Sequence, residues 1–263
     1  MKETKSVKAL KKQLAAAIAM VLVAAVALGS STYAWFVTNN KVEATTSTIS
    51  AQSNAAFMYI RDAENDSKDL RADTSSVDPA QLYPAHWSLS SESDTYTDVG
   101  KFYMAYGTSA AEGGHVMDQN TLKLVEATGQ TAGTPAAAIA GKYAVKNTFY
   151  VGSKGTTLTD LIVDNSEAGN IAIGSSGNAE FDDALRVLVT CGKNWVLCDK
   201  DSILGASNAT NKLADSVTAD ETEIEIYVFY DGDDDAIYTN NLSALNTASK
   251  NIKVTFSATA DNK

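Results

Sequence analysis

Glu223-Ile224-Glu225-Ile226-Tyr227-Val228-Phe229-Tyr230 decides the fold class. It opens on strict charged/apolar alternation and continues in β-branched and aromatic residues, the pattern of a strand with one face in a core. Ile252-Lys253-Val254-Thr255-Phe256 alternates in the same way and places Ile252, Val254 and Phe256 on one face. Both are expected as half-buried strands of an antiparallel sheet.

Working outward, shorter runs of the same kind occur at 53–61 (through Phe57 and Tyr59), 148–151, 158–164, 185–190 and 195–198. Turn residues, chiefly Gly, Asn and Asp, separate them. No helical period persists long enough for a bundle and no internal repeat is visible. Many short strands joined by polar turns predict an all-β antiparallel sandwich or barrel. Residues 62–141 break the pattern. They are rich in Ser, Asp, Thr, Ala and Gly, and their aromatics (Tyr83, Trp87, Tyr96, Phe102, Tyr103, Tyr106) are scattered. That segment is expected as a loop-rich excursion with a few short strands folded onto the sandwich, with a helical turn at 136–140.

The N-terminus has a different character. Lys2, Lys5, Lys8, Lys11 and Lys12 precede an apolar run from Leu14 to Leu28, which ends in Gly29-Ser30-Ser31 and Thr32-Tyr33-Ala34. A basic segment, a short apolar segment and a small-residue exit make the layout of a signal peptide. The apolar run is shorter than the roughly 20 residues of a spanning helix. Residues 1–34 are therefore expected to form a signal-peptide helix and 35–263 the folded domain. Membrane contact is expected only through the uncleaved leader. No further apolar run of spanning length and no LPxTG-type sorting signal follows, so no other anchor is expected.

Charge excludes one class of partner. The chain carries 21 Lys+Arg and 32 Asp+Glu. The leader holds five of those Lys and one Glu, so the remainder has a net charge of −15. Such an acidic domain repels phosphate backbones, and no nucleic-acid partner is expected.

Candidate chemistry is sparse. There is no H-E-x-x-H, no G-x-S-x-G and no glycine-rich phosphate loop. His86 and His115 stand apart from each other and from both cysteines. No catalytic residue, cofactor or metal centre is expected, and the protein is not expected to be an enzyme. Asp231, Asp233 and Asp235 occupy the first, third and fifth positions of a sequence that resembles the start of an EF-hand loop. The sixth position is Ala236 and the twelfth Leu242, where that loop needs Gly and Glu. A solvated turn is the favoured reading, and the three carboxylates stay as the candidate calcium ligands. Cys191 and Cys198 flank Gly192-Lys193-Asn194. With Lys193-Asn194 as a two-residue hairpin turn, Cys191 faces Val196 and Cys198 lies diagonally on the same face. A disulfide and two free thiols are both compatible with that placement.

The leader exit, Ser30-Ser31-Thr32-Tyr33-Ala34-Trp35-Phe36, resembles that of the TasA/camelysin group of Gram-positive exported proteins. The segments Asn147–Leu158, Tyr227–Gly232 and Asn251–Thr259 are similar to the group's strand-turn-strand and its last two strands. The resemblance implies cleavage between Ala34 and Trp35 by a SipW-type signal peptidase and a jelly-roll sandwich. It also implies self-association, or association with related subunits, into extracellular matrix or biofilm fibres. In that mode a mature N-terminal donor strand (Trp35, Phe36, Val37 and Val42) completes the next subunit's sheet. An apolar free end gains both backbone and side-chain partners by joining an open sheet edge. The metallopeptidase activity attached to the camelysin name is not carried over, because no zinc-binding pair is present. A monomeric surface adhesin or glycan-binding module, using the aromatics of the excursion, is the alternative.

Overall fold

The computed structural model describes residues 20, 47–53, 57–64, 72–77, 82–89, 100–104, 124–176, 179–234, 236–237 and 249–260. The chain divides into two compact units, Met1–Ala44 and Thr45–Lys263. In the first unit only Met20 is described, in helical conformation. The leader, the pair Ala34 and Trp35, and the donor residues Trp35, Phe36, Val37 and Val42 lie outside the described residues. Among the described residues no helix is long and apolar enough to cross a membrane.

The second unit is all-β. Its strands are β1 (Ser47–Ser53), β2 (Met58–Arg61), β3 (Ala72–Val77), β4 (Ala85–Ser88), β5 (Lys101–Met104), β6 (Val145–Ser153), β7 (Leu158–Val163) and β8 (Ile171–Ser176). They continue with β9 (Leu185–Cys191), β10 (Asn194–Cys198), β11 (Ile203–Ala206), β12 (Lys212–Val217), β13 (Thr222–Tyr230) and β14 (Ser249–Ala260). Among the described residues there is also a short α-helix, α1 (Pro135–Ala140), capped by the Thr134 hydroxyl, which accepts from Ala137 N–H, and starting on Pro135.

Two six-stranded sheets share one core. The first has the order β12-β7-β14-β1-β3, with β8 also paired to β14; the second runs β11-β10-β9-β13-β6-β2. Between them lie Ile49, Leu161, Val163, Val254 and Phe256 from the first sheet. Ile60, Phe149, Val187, Val189, Ile224, Ile226 and Val228 come from the second. Each fully buried side chain of this size contributes about 1.5–3 kcal/mol of transfer free energy.

Several local expectations change. The run 53–61 is not one strand: β1 ends at Ser53 and Phe57 is an exposed turn residue before β2. β13 and β14 lie in opposite sheets, and β14 takes β1 as a parallel neighbour, Thr48 opposite Asn251 through Ser53 opposite Phe256. The link from β6 to β7 likewise crosses between sheets rather than closing a hairpin.

β13 is half-buried only at its start. Ile224, Ile226, Val228 and Tyr230 face the inter-sheet core, whereas Tyr227 and Phe229 face a second apolar cluster on the other side. That cluster joins side chains of the 62–141 region to the outer face of the second sheet. Trp87 of β4 meets Trp195 of β10 edge-on (centroids 4.6 Å apart), and Phe102 of β5 meets Phe229 (5.3 Å, 81°). Gly100 is required there, since a Cβ on it would sit 2.6 Å from the Trp87 ring. Backbone bonds from Phe102 N–H to Gly133 O and from Val125 N–H to Phe102 O tie the approach of α1 to β5. The segment also gives β3 to the first sheet, antiparallel to β1.

Candidate functional site

The first candidate is the position of β1. Its residues Ile49 and Ala51 are fully buried in the inter-sheet core. Its backbone pairs on both sides, in parallel with β14 and antiparallel with β3. Among the described pairings β1–β14 is parallel while every other named ladder is antiparallel. The two strands come from opposite ends of the folded unit, and β2, which lies between β1 and β3 in sequence, belongs to the other sheet. No tight hairpin therefore joins β1 to either partner. Ladder bonds and the buried side chains of Ile49 and Ala51 hold it in an interior slot.

The second candidate is the corner where the outer layer docks. Gly232 N–H donates to Ala85 O (3.0 Å), and Ala85 makes a parallel bridge with Asp231. Next to that bridge His86 Nδ1 lies 3.1 Å from Asp231 Oδ1. Arg186 of β9 completes the corner: Nε is 3.3 Å from Asp231 Oδ2, and Nη2 donates to Asp234 Oδ2 (3.1 Å). Burial disfavours the charged imidazole. The hydrogen bond and charge of Asp231, with help from Asp233, exceed that effect and the opposition of Arg186, so the pKa of His86 is raised.

This geometry accounts for the acidic turn. Asp231 does not offer its carboxylate to a calcium ion, because both its oxygens face His86 and Arg186. Asp234, not Asp233, supplies the second carboxylate of the network, and Asp235 lies outside the described residues. Among the described residues no group of three or more His, Cys, Asp and Glu is placed to hold a metal ion.

The cysteines require a correction. The β9–β10 turn is Gly192-Lys193, with Gly192 at φ 59°, and Cys191 pairs with Asn194 while Cys198 pairs with Val187. Both thiols are free. They share the core face but sit four register positions apart, about 13 Å along the strands. A disulfide needs Cα atoms within about 7 Å. Burial, reinforced by Asp199, pushes the Cys198 thiol up to about 12. Cys191 is raised too, by burial and then Glu223.

The aromatics of the excursion divide. Trp87 and Tyr103 are buried (5% and 8% exposed), so neither presents a ring face for sugar stacking. Tyr83 is half-exposed and leans on Tyr143 (5.6 Å, 44°). Tyr96 and Tyr106 lie outside the described residues. The sequence did not point to Arg186 or Glu225. Glu225, on the outer face of β13, receives Lys146 Nζ (2.6 Å) and the Tyr227 hydroxyl (2.6 Å). Burial works against its charge, but these bonds prevail and lower its pKa. A charged residue alternating with Ile224 and Ile226 reads as solvent-facing, and only the register across β6 reveals its partners. Compared with family models, curated proteins and solved structures, the chain matches none of them.

Proposed function

We propose that the protein is a secreted structural subunit of extracellular matrix or biofilm fibres, with a jelly-roll-like sandwich and donor-strand assembly through its mature N-terminus. The observation that carries this is the slot of β1. An interior strand, parallel to the C-terminal strand and joined to neither neighbour by a hairpin, is the kind of element a second chain can supply. Trp35, Phe36, Val37 and Val42 stand immediately before it in the sequence. An apolar end of that composition is costly in water and gains ladder bonds and burial by entering a sheet. The role is structural and needs no cofactor or nucleic acid; the partners are further copies or related subunits. Export of a Gram-positive-type precursor, cut between Ala34 and Trp35 by a signal peptidase, would free that end at the cell surface.

Electron microscopy of mature protein with and without residues 35–42 tests the proposal. Fibres are expected from the full mature chain and dispersed monomers from the truncated one. Fibres of normal morphology from the truncated chain would refute donor exchange. N-terminal sequencing of the secreted protein should begin at Trp35.

A further inference from the structure

β7 and β8 both run antiparallel to β14 and on the same side of it, β7 against Phe256–Ala260 and β8 against Ser249–Val254. They are two halves of one strand, parted by the seven residues Asp164–Asn170. Thr255 is the β14 residue between the halves, and its backbone holds both ends of the break. Asp164 N–H donates to Thr255 O (2.8 Å), and Thr255 N–H donates to Asn170 O (2.8 Å).

Side-chain direction follows from alternation along the strands. Val254, Phe256, Val163 and Ile171 all belong to the inter-sheet core. Thr255, Asp164 and Asn170 are each one position along, and so turn to the opposite face together. All three are nevertheless buried, with exposures of 1%, 5% and 7%. Two of them are unsatisfied: among the described residues Thr255 Oγ1 and Asn170 Nδ2 have no hydrogen-bond partner. Native folds rarely leave such groups orphaned without a reason. Asp164 Oδ1 accepts from Ser166 N–H (2.9 Å) and Ser166 Oγ–H (2.6 Å), which fixes the carboxylate beside them.

We propose that this break binds a hard divalent cation of the calcium type. The Asp164 carboxylate, the Asn170 carboxamide oxygen and the Thr255 hydroxyl are its protein ligands. The carboxamide is nearly symmetric in shape, so a half-turn presents oxygen in place of nitrogen. An all-oxygen set with a single carboxylate suits calcium at the weak, millimolar end of its range. The formal net charge of −11 raises the local concentration of cations around such a site. The contrast with the acidic turn is direct: Arg186 and His86 supply the counter-charge at Asp231, whereas here an ion satisfies the two orphaned side chains together.

Thermal melts of the full-length mature protein in EDTA, magnesium and calcium test the site. Calcium at about ten times its Kd is expected to raise Tm by several degrees. Thr255→Val keeps the shape and deletes a ligand. It should melt no lower than the wild type in EDTA, since it removes an unsatisfied hydroxyl, and should lose most of the calcium increment. Asp164→Asn should lose the increment entirely; if that variant fails to fold, Thr255→Val decides. An unchanged Tm of the wild type in calcium would overturn the proposal. So would an equal rise in Thr255→Val, which would put the ion on surface carboxylates instead.

Discussion

The second sheet is covered on both faces at its centre, the first on its inner face with a partly exposed outer one, and the two sequences differ accordingly. β14 keeps its alternation, with Ile252, Val254 and Phe256 inward and Lys253 and Ser257 partly exposed. β13 alternates only through Ile226, then runs as Tyr227-Val228-Phe229-Tyr230 without a polar residue. The switch falls where the outer layer of β4, β5 and α1 begins, with Tyr227 and Phe229 beneath it. A continuous apolar run in an antiparallel strand thus marks the footprint of a second layer.

The largest effects should test whether the two cores are one. Phe149→Ala, in the inter-sheet core, should cost about 3–5 kcal/mol of global stability in urea denaturation. Phe102→Ala removes a side chain of the same size from the outer cluster. Its cost to global unfolding should be smaller, because the outer layer can release while the sandwich stays closed. Hydrogen exchange should then rise across 101–104 and 124–133 while β6, β9 and β13 remain protected. Loss of protection in both regions at once would show a single cooperative unit.

Arg186 is the polar counterpart of those two phenylalanines. Arg186→Met leaves Asp231 and Asp234, both only partly exposed, without their guanidinium partner. Charge-assisted hydrogen bonds of this kind contribute about 1.5–3 kcal/mol, and a loss in that range is expected in urea titrations. Exchange should increase first at 85–88. An effect confined to β9 would mean that the corner does not hold the outer layer.

The all-β class was legible because alternation survives in β14, in β6 and at the start of β13. Short strands with scattered partners were not. β4 and β5 have four residues each and pack their aromatics across layers, so no period-2 signal accumulates. The parallel pairing of β1 with β14 joins residues some 200 positions apart, which no local pattern encodes. Nor does local sequence show that β7 and β8 are one interrupted strand, because only Thr255 on a distant segment closes the break. At the candidate sites, acidic residues announced themselves in Asp231 to Asp235 while their counter-charges, His86 and Arg186, were hidden by distance.

His86 offers a smaller, pH-dependent test of the same corner. Its pKa in the fold is raised above the ordinary value near 6.5, so protonation and docking favour each other. The stability it adds is fully present below about pH 6.5 and is lost as pH rises through the raised value. The groups facing it are Asp231 and Asp233 from the turn after β13 and Arg186 from β9, with Tyr103 opposite on β5. Wild type minus His86→Gln, measured by denaturation from pH 5.5 to 9, should therefore shrink with increasing pH. A difference that stays flat or grows would mean that His86 docks as the neutral ring.

The smallest effect expected is none at all, and it tests the register of the second sheet. A turn at Lys193-Asn194 sets the two thiols two positions apart, within reach of a strained bridge. The observed turn at Gly192-Lys193 sets them four apart, because moving a two-residue turn by one position shifts the cross-strand register by two. Gly192 enforces the choice, since its φ of 59° suits glycine better than other residues. Reducing agent should then leave Tm unchanged. Native protein at pH 8 should take up no thiol reagent at Cys198, whose pKa of about 12 and full burial keep it protonated and covered. A Tm that falls on reduction would place the turn one residue later and shift every β10 partner with it.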